Sequence, residues 1–222
     1  MREVVALFTA GIDSEEALAV QAGVRQVLQY VSGEFVVDVV GDPCRAEVWQ
    51  QRCLEKSQTG QVSVECLLEE LLFFLIQHAD KRGRVLVDSD LLAVLAVDAD
   101  LRSSATNFLF GSARPGYASV LSVSRFRTVT PMELRKKVLT RLARHEFGHA
   151  LGLIPEGRRT NVKRKLGLHC TNLCTMRQGM SLEEFEQLTT EEEKAGVVFC
   201  PECVDHLRSV GAGFNPLWGG IR

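Results

Sequence analysis

The sequence predicts an α/β fold: a twisted mixed sheet with a functional helix against it, followed by a small C-terminal lobe. Apolar β-branched segments alternate with amphipathic helical ones, a hairpin signal follows, and the last quarter holds four cysteines in two pairs. Residues 4–8 form the first apolar strand. Asp13 or Ser14 can cap a helix carrying Ala17, Leu18, Val24, Val27 and Leu28, and residues 35–40 make a second strand. A second helix covers 63–79, with Leu67, Leu68, Leu71, Leu72, Phe74 and Leu75 on one broad face, and stops at Lys81-Arg82-Gly83. Residues 92–97 read as a buried third strand.

Residues 107–110 and 118–123 flank a segment, 111–116, rich in turn formers, which predicts an antiparallel hairpin at the sheet edge. The best-signalled helix comes next. Thr130 stands at the N-cap, Pro131 at the first helical position and Glu133 at the capping-box position; Leu134, Val138, Leu139 and Leu142 make the apolar stripe and Gly152 ends it. Beyond it the sequence predicts one acidic helix, 182–194, several loops, no clear sheet and no independent core. That divides the chain into 1–153, with the sheet and the functional helix, and 154–222, where a structural metal would supply the stability that core packing does not.

Composition narrows the function. With 45% hydrophobic and 24% charged residues and a net charge of −2, the 222-residue chain is an ordinary globular one, not a basic binder of nucleic acid or membrane surface. Its most apolar stretch, 71–76, is far shorter than the roughly 20 residues of a spanning helix, and the start lacks a signal-peptide pattern. A cytoplasmic protein is expected. In a reducing compartment a cysteine cluster points to metal before disulfide; Cys44, Cys53 and Cys66, scattered at no ligand spacing, are expected to be core or incidental.

The chemistry centres on His145-Glu146-Phe147-Gly148-His149, an HExxH motif. Histidines four apart share a helical face and can hold one zinc ion, with the intervening Glu146 placed to take a proton from a bound water. Such a site needs a third protein ligand. The metzincin spacing has Gly152 in place, but Pro155 stands where the next histidine is expected. The triplet Leu151-Gly152-Leu153 recurs as Leu166-Gly167-Leu168 directly before His169, so an insertion ahead of the ligand is the simplest account; Glu183, Glu184 or Glu186 as third ligand, or none, are the alternatives. Cys170 and Cys174, with Cys200 and Cys203, have the spacing of two knuckles closing a Cys₄ zinc site, so two zinc ions per chain are expected, one catalytic and one structural. His206 reads as a surface or supporting residue, and His78 as an ordinary helix-terminal one. The basic insertion, with Arg158, Arg159, Lys163, Arg164 and Lys165, reads as solvated loop or as a rim beside the cleft.

Together, the 145–149 motif, Gly152, the His169-Cys170-x3-Cys174-x-Met176 run and the Cys200-x2-Cys203 knuckle resemble the archaemetzincins, a family of metzincin-type zinc metalloproteases. The resemblance extends upstream to Val97-Asp98, Asp100-Leu101, Asn107-Phe108, Gly111 and the 122–125 stretch, covering roughly residues 90 to 205. It implies a metzincin-like mixed sheet, His145, His149 and His169 on a catalytic zinc, Glu146 as general base, Met176 as the Met-turn residue, and the four cysteines on a structural zinc. It also nominates Asn107, Phe108, Leu109, Phe110 and Gly111 as the edge strand that binds extended substrate. A zinc-dependent peptidase acting on peptides or proteins, as an aminopeptidase or an endopeptidase, is therefore expected. A non-catalytic zinc-stabilised binding protein is the alternative, and a hydrolase of non-peptide amides a third. The adjacency of His169 and Cys170 suggests that the Cys₄ site holds the third catalytic ligand in place.

Overall fold

The computed structural model describes residues 2–39, 43–55, 60–86 and 91–210. Along the chain run β1 (Arg2–Phe8), α1 (Ser14–Leu28), β2 (Phe35–Val39), α2 (Pro43–Glu55), β3 (Val62–Ser63), α3 (Val64–Asp80), β4 (Leu91–Val97), β5 (Leu101–Arg102), β6 (Gly111–Arg114) and β7 (Ala118–Ser122). Then come α4 (Met132–Ala150), β8 (Val162–Arg164), β9 (Leu168–Cys170), α5 (Leu182–Ala195) and α6 (Pro201–Val210).

The main sheet has the order β2-β1-β4-β7-β6, parallel throughout except for β6, which lies antiparallel on β7 at the edge. Alternate residues feed two cores. Val4, Leu92, Val94 and Ala96 pack with Val20 and Val24 of α1 and Leu139 and Leu142 of α4. Val5, Leu7, Ala93 and Leu95 face Leu67, Leu71 and Leu75 of α3 and Trp49 of α2. A strand covered by helices on both faces needs apolar residues at every position, and β4 is buried along its whole length.

Helix starts follow local chemistry. Asp13 caps α1 in a capping box with Glu16, and Ser63 caps α3 through the Cys66 N–H. At α4 the structure corrects the expected cap. Pro131 is itself the extended N-cap residue, no side chain caps the helix, and Glu133 pairs with Lys136 instead of closing a box. The carbonyl of Pro131 accepts from the N–H groups of Leu134 and Arg135, so the helix begins one residue later than the motif suggests. Its end is as expected: Gly152 adopts φ +79° and donates to the His149 carbonyl, while the Leu153 N–H reaches that of Gly148, a Schellman ending.

Three further expectations change. The edge strand is Gly111–Arg114, not 107–110, which makes only a single bridge from Leu109 to Leu101; the apolar run is needed as a wall, described below, rather than as a ladder. The inserted segment returns as the β8–β9 hairpin, so the C-terminal part does contain a sheet. It also contributes Cys170, Cys174, Met176, Phe185, Phe199 and Leu207 to the same buried cluster as α1 and α4. Cys53 and Cys66 are buried, but joined by a disulfide between α2 and α3; the Cys44 side chain lies outside the described residues.

α1 and α4 cross at Gly23, where a Cβ would come within 2.5 Å of the Thr140 carbonyl oxygen and 2.7 Å of Ala143 Cβ. Only a residue without a side chain lets the helices approach this closely. Gly23→Val is expected to lower unfolding free energy by about 1–3 kcal/mol through overpacking, read as a drop in the urea midpoint with an unchanged slope.

Candidate metal centre and cleft

α4 presents His145 and His149 one turn apart, and β9 brings His169 against them from the opposite side. The three ring centroids are 4.8, 5.2 and 5.1 Å apart, and one donor nitrogen from each lies within 4.8 Å of the others. Among the described residues, no fourth His, Cys, Asp or Glu joins this group. Glu183 and Glu184 are exposed in the first turn of α5, where Glu184 accepts from the Met180 N–H, and Glu186 is also outside the group.

His145 is oriented by a backbone carbonyl. His145 Nδ1 lies 2.8 Å from the Thr175 carbonyl oxygen, so Nδ1 carries the proton and Nε2 is left as the donor. Nδ1 of His169 is buried with no hydrogen-bond partner. Burial, followed by the neighbouring His149 and His169, holds His145 well below the ordinary imidazole range. Burial, then His169, brings His149 down to about 3, and burial brings His169 to about 4. Three neutral imidazoles with converging nitrogens are a donor set that fits zinc.

Glu146 sits beside them, 6% exposed, and burial alone pushes its carboxyl up to about 8. The start of β6 backs directly onto it: a Cβ on Gly111 would be 2.6 Å from Glu146 Cγ and Cδ. Gly148 serves the other side of the helix, where a Cβ would meet Met176 Sδ at 2.7 Å. Met176, fully buried, therefore forms the floor under α4, and its carbonyl accepts from the Cys170 N–H at 2.9 Å.

The cleft opens on both sides of the histidines. One side is walled by Phe108, Leu109, Phe110, Met180 and Phe185. The other runs along Gly111, Ser112 and Ala113 of β6 to Leu166 and Leu168 of the hairpin. Of the nominated segment, Phe108 to Gly111 line the cleft; Asn107 is exposed and lines neither side, its carbonyl accepting from Gln61. Arg125 stacks 3.7 Å over the Phe108 ring and is held by both carboxylate oxygens of Asp100.

Sequence reasoning missed the charged cluster that holds this arrangement. Arg141, fully buried, donates to Glu192 (2.8 Å) and to the carbonyls of Thr175 (3.2 Å) and Arg177 (3.0 Å). Arg144 reaches the other Glu192 oxygen at 3.0 Å, which also accepts from Thr175 Oγ1. A signal was present: Glu192 continues the buried stripe Phe185, Leu188, Thr189 of α5, and Arg141 lies one turn before His145.

The second cluster is also assembled. Cys170, Cys174, Cys200 and Cys203 are all buried, with their sulfurs within 4.8 Å of one another, a set of four thiols that suits tetrahedral zinc. His206 is half-buried and lines a small cavity with Arg158 and Glu202, and His78 pairs with Glu3. Arg159, Lys163, Arg164 and Lys165 are exposed on the hairpin and its approach, whereas Arg158 turns inward and takes no part in a rim.

A mixed sheet whose edge strand overhangs an HExxH helix, with a third histidine arriving from beyond that helix, defines a metzincin-like zinc-site fold. No protein-family model matches the chain. The archaemetzincin of Archaeoglobus fulgidus is 34% identical over 110 residues, 49% of this chain and 55% of that protein. The archaemetzincin of Nanoarchaeum equitans is 28% identical over 127 residues, 57% of this chain and 58% of that one. In these matches the chain spans little more than half the length of its curated relatives. Among solved structures, the archaemetzincin of Methanopyrus kandleri aligns with a TM-score of 0.62 at 22% identity over 96% of each chain. That of Archaeoglobus fulgidus with malonate aligns at 0.58 and 21% (92% of this chain, 99% of that one), and a zinc-dependent peptidase of Methanocorpusculum labreanum at 0.63 and 17% (92% and 100%). At these identities the structural likeness is one of fold. The chain is thus similar to archaemetzincins in sequence over about half its length, and in fold over nearly all of it.

The lowered imidazoles set a pH dependence for the metal-free protein. Unfolded, each histidine takes up a proton near pH 6.5; folded, His149 and His169 stay neutral down to about 3 and 4. Between those limits the three imidazoles bind more protons in the unfolded chain; Glu146, held protonated in the fold up to about 8, subtracts one above pH 4.5, so the histidines prevail and stability rises with pH. Urea unfolding of chelator-treated protein is expected to show stability falling as pH drops below about 6.5, and a variant with His149 and His169 both replaced by Gln should show a shallower fall.

Proposed function

We propose that the chain is a zinc metallopeptidase that hydrolyses peptide bonds in the cleft between β6 and α4. The observation that carries this reading is the convergence of the three imidazoles beside the buried Glu146. In it, residues 1–153 supply Glu146, His145 and His149, and 154–222 supply His169, the Met176 floor and the Cys₄ site. The zinc-dependent peptidase of Methanocorpusculum labreanum, similar in fold, and the archaemetzincins, similar in sequence, support this reading.

His145, His149 and His169 would hold the zinc, which when bound supplies polarisation of the scissile carbonyl and acidification of water. Glu146 accepts a proton from the attacking water at its carboxylate and later delivers it to the departing amine. Its raised pKa bears on this role. Buried without a cation it favours the protonated form, and positive charge at the imidazoles shifts it back toward the carboxylate, so base and metal site become active together. β6 ends the sheet, which leaves its outer edge open for an extended substrate to add as a strand. Phe108, Leu109 and Phe110 would then flank the bound chain, and Gly111 gives Glu146 the space to face it.

Glu146→Gln is expected to cut hydrolysis of a peptide library by about 10²–10⁴-fold while leaving zinc content unchanged. Two zinc ions per chain with no cleavage by either protein would instead favour a binding module, and equal cleavage by both would remove Glu146 as the base. Gly111→Ala tests the close approach separately. Displacing the Glu146 side chain should lower turnover by up to about 10²-fold, with metal content and fold retained as measured by metal analysis and circular dichroism.

A further inference from the structure

Arg158 lies in the segment between α4 and β8, and its guanidinium spends its donors on the cysteine cluster. Nη1 donates to Cys203 Sγ at 3.2 Å and Nη2 to Cys170 Sγ at 3.3 Å. Nη2 also pairs with Glu202, and Nε donates to the Thr160 carbonyl at 3.0 Å. Only 11% of the Arg158 side chain is exposed, against 40% for Glu202.

A cation buried to this degree needs anionic neighbours. Glu202 supplies one charge, but its oxygens are shared with Thr160, Asn161 and Asn172 and partly hydrated. Neutral thiols are weak acceptors and would leave two N–H groups poorly satisfied. Thiolates on a metal are strong ones. Four of them around a divalent ion leave two negative charges in excess, for which a guanidinium bridging two sulfurs is a fitting partner.

We propose that Arg158 is the counter-ion of a metal–tetrathiolate cluster and, through Cys170, a positioning residue for His169. The inference rests on the reading of the four cysteines as a metal site. Arg158 touches Cys170, the residue next to His169 in β9, and Cys203 on α6, so a single side chain fastens the inserted segment, the third imidazole's strand and the last described helix to one point. Without it the excess charge is uncompensated, the thiolates release their metal more readily, and β9 loses an anchor.

The test uses full-length protein loaded with Co²⁺, whose thiolate-to-metal charge-transfer absorption reports the cysteine cluster and not the imidazoles. Wild type, Arg158→Lys and Arg158→Gln are challenged with a chelator, and decay of that band is followed. Arg158→Gln is expected to release the thiolate-bound ion about 10–100-fold faster, with a shifted band because two N–H···S bonds are lost. Arg158→Lys keeps the charge without the bridge and should fall between. His-site zinc affinity, titrated in the same variants, should fall in the same order. Release from Arg158→Gln at the wild-type rate overturns the proposal. If that variant does not fold, Arg158→Lys decides, several-fold faster release supporting the proposal and unchanged release overturning it. Absence of the band from wild type would remove the tetrathiolate cluster itself, an outcome independent of the cleavage assays on Glu146→Gln.

Discussion

Three consecutive residues, Thr175 to Arg177, hold the two sides of the cleft in register. The Thr175 carbonyl accepts from His145 Nδ1 and from Arg141; the Met176 side chain fills the space Gly148 leaves beneath α4; and the Met176 carbonyl receives the Cys170 N–H beside His169. Arg141 adds the Arg177 carbonyl and is neutralised by Glu192 of α5. Buried ion pairs of this kind roughly break even in stability against well-packed apolar residues, because desolvation offsets most of the attraction. What Arg141 and Glu192 contribute is therefore geometry. Nε is tied to Glu192 and Nη2 to two carbonyls, so the carbonyl that orients His145 has little freedom to move.

α4 and β6 set the remaining dimensions. The helix is held against the sheet by its apolar stripe and against α1 by the contact at Gly23, so both histidines project from a rigid element. Ending at Gly152, it turns the chain away one turn beyond His149 and leaves that imidazole accessible from the cleft. On the far side, the antiparallel edge strand can approach Glu146 closely because its first residue is glycine. Small residues at 23, 111 and 148 thus fix the distances between elements, while the larger ones fill what lies between.

Much of this was legible in the sequence because it is local. The cap at Asp13, the fully apolar β4 and the glycine ending of α4 are each decided by a few adjacent residues. The HExxH spacing carries its own geometry, since residues four apart on a helix must share a face. The misreadings have tertiary causes. Residues 108–110 have strand composition, but Phe108 and Phe110 join Phe126 and Phe185 in an aromatic wall, while Gly111–Arg114 has turn composition yet is held in the sheet by its ladder to β7. α2 carries charged and amide residues on much of its surface and offers no strong periodic signal, and α6 is hidden by its role as a cysteine knuckle. The Cys53–Cys66 pairing depends on how α2 and α3 pack, which spacing does not reveal.

The placing of His169 beside His145 and His149 shows why residues that meet need not lie close in sequence. The entropic cost of closing a loop grows only slowly with its length, by about 0.6 kcal/mol for each doubling, so extra residues are tolerated if the far end is fastened. Here the fastening is layered. Val162, Lys163 and Arg164 pair in register with Cys170, His169 and Leu168, so the hairpin stiffens the strand that bears the imidazole. The Cys170 N–H joins that strand to the floor, and its sulfur lies in the thiol cluster with two cysteines of α6 or its approach. A metal ion held there would add no donor to the histidine site, but it would convert a long excursion into a short one, leaving His169 a single residue from a fixed point.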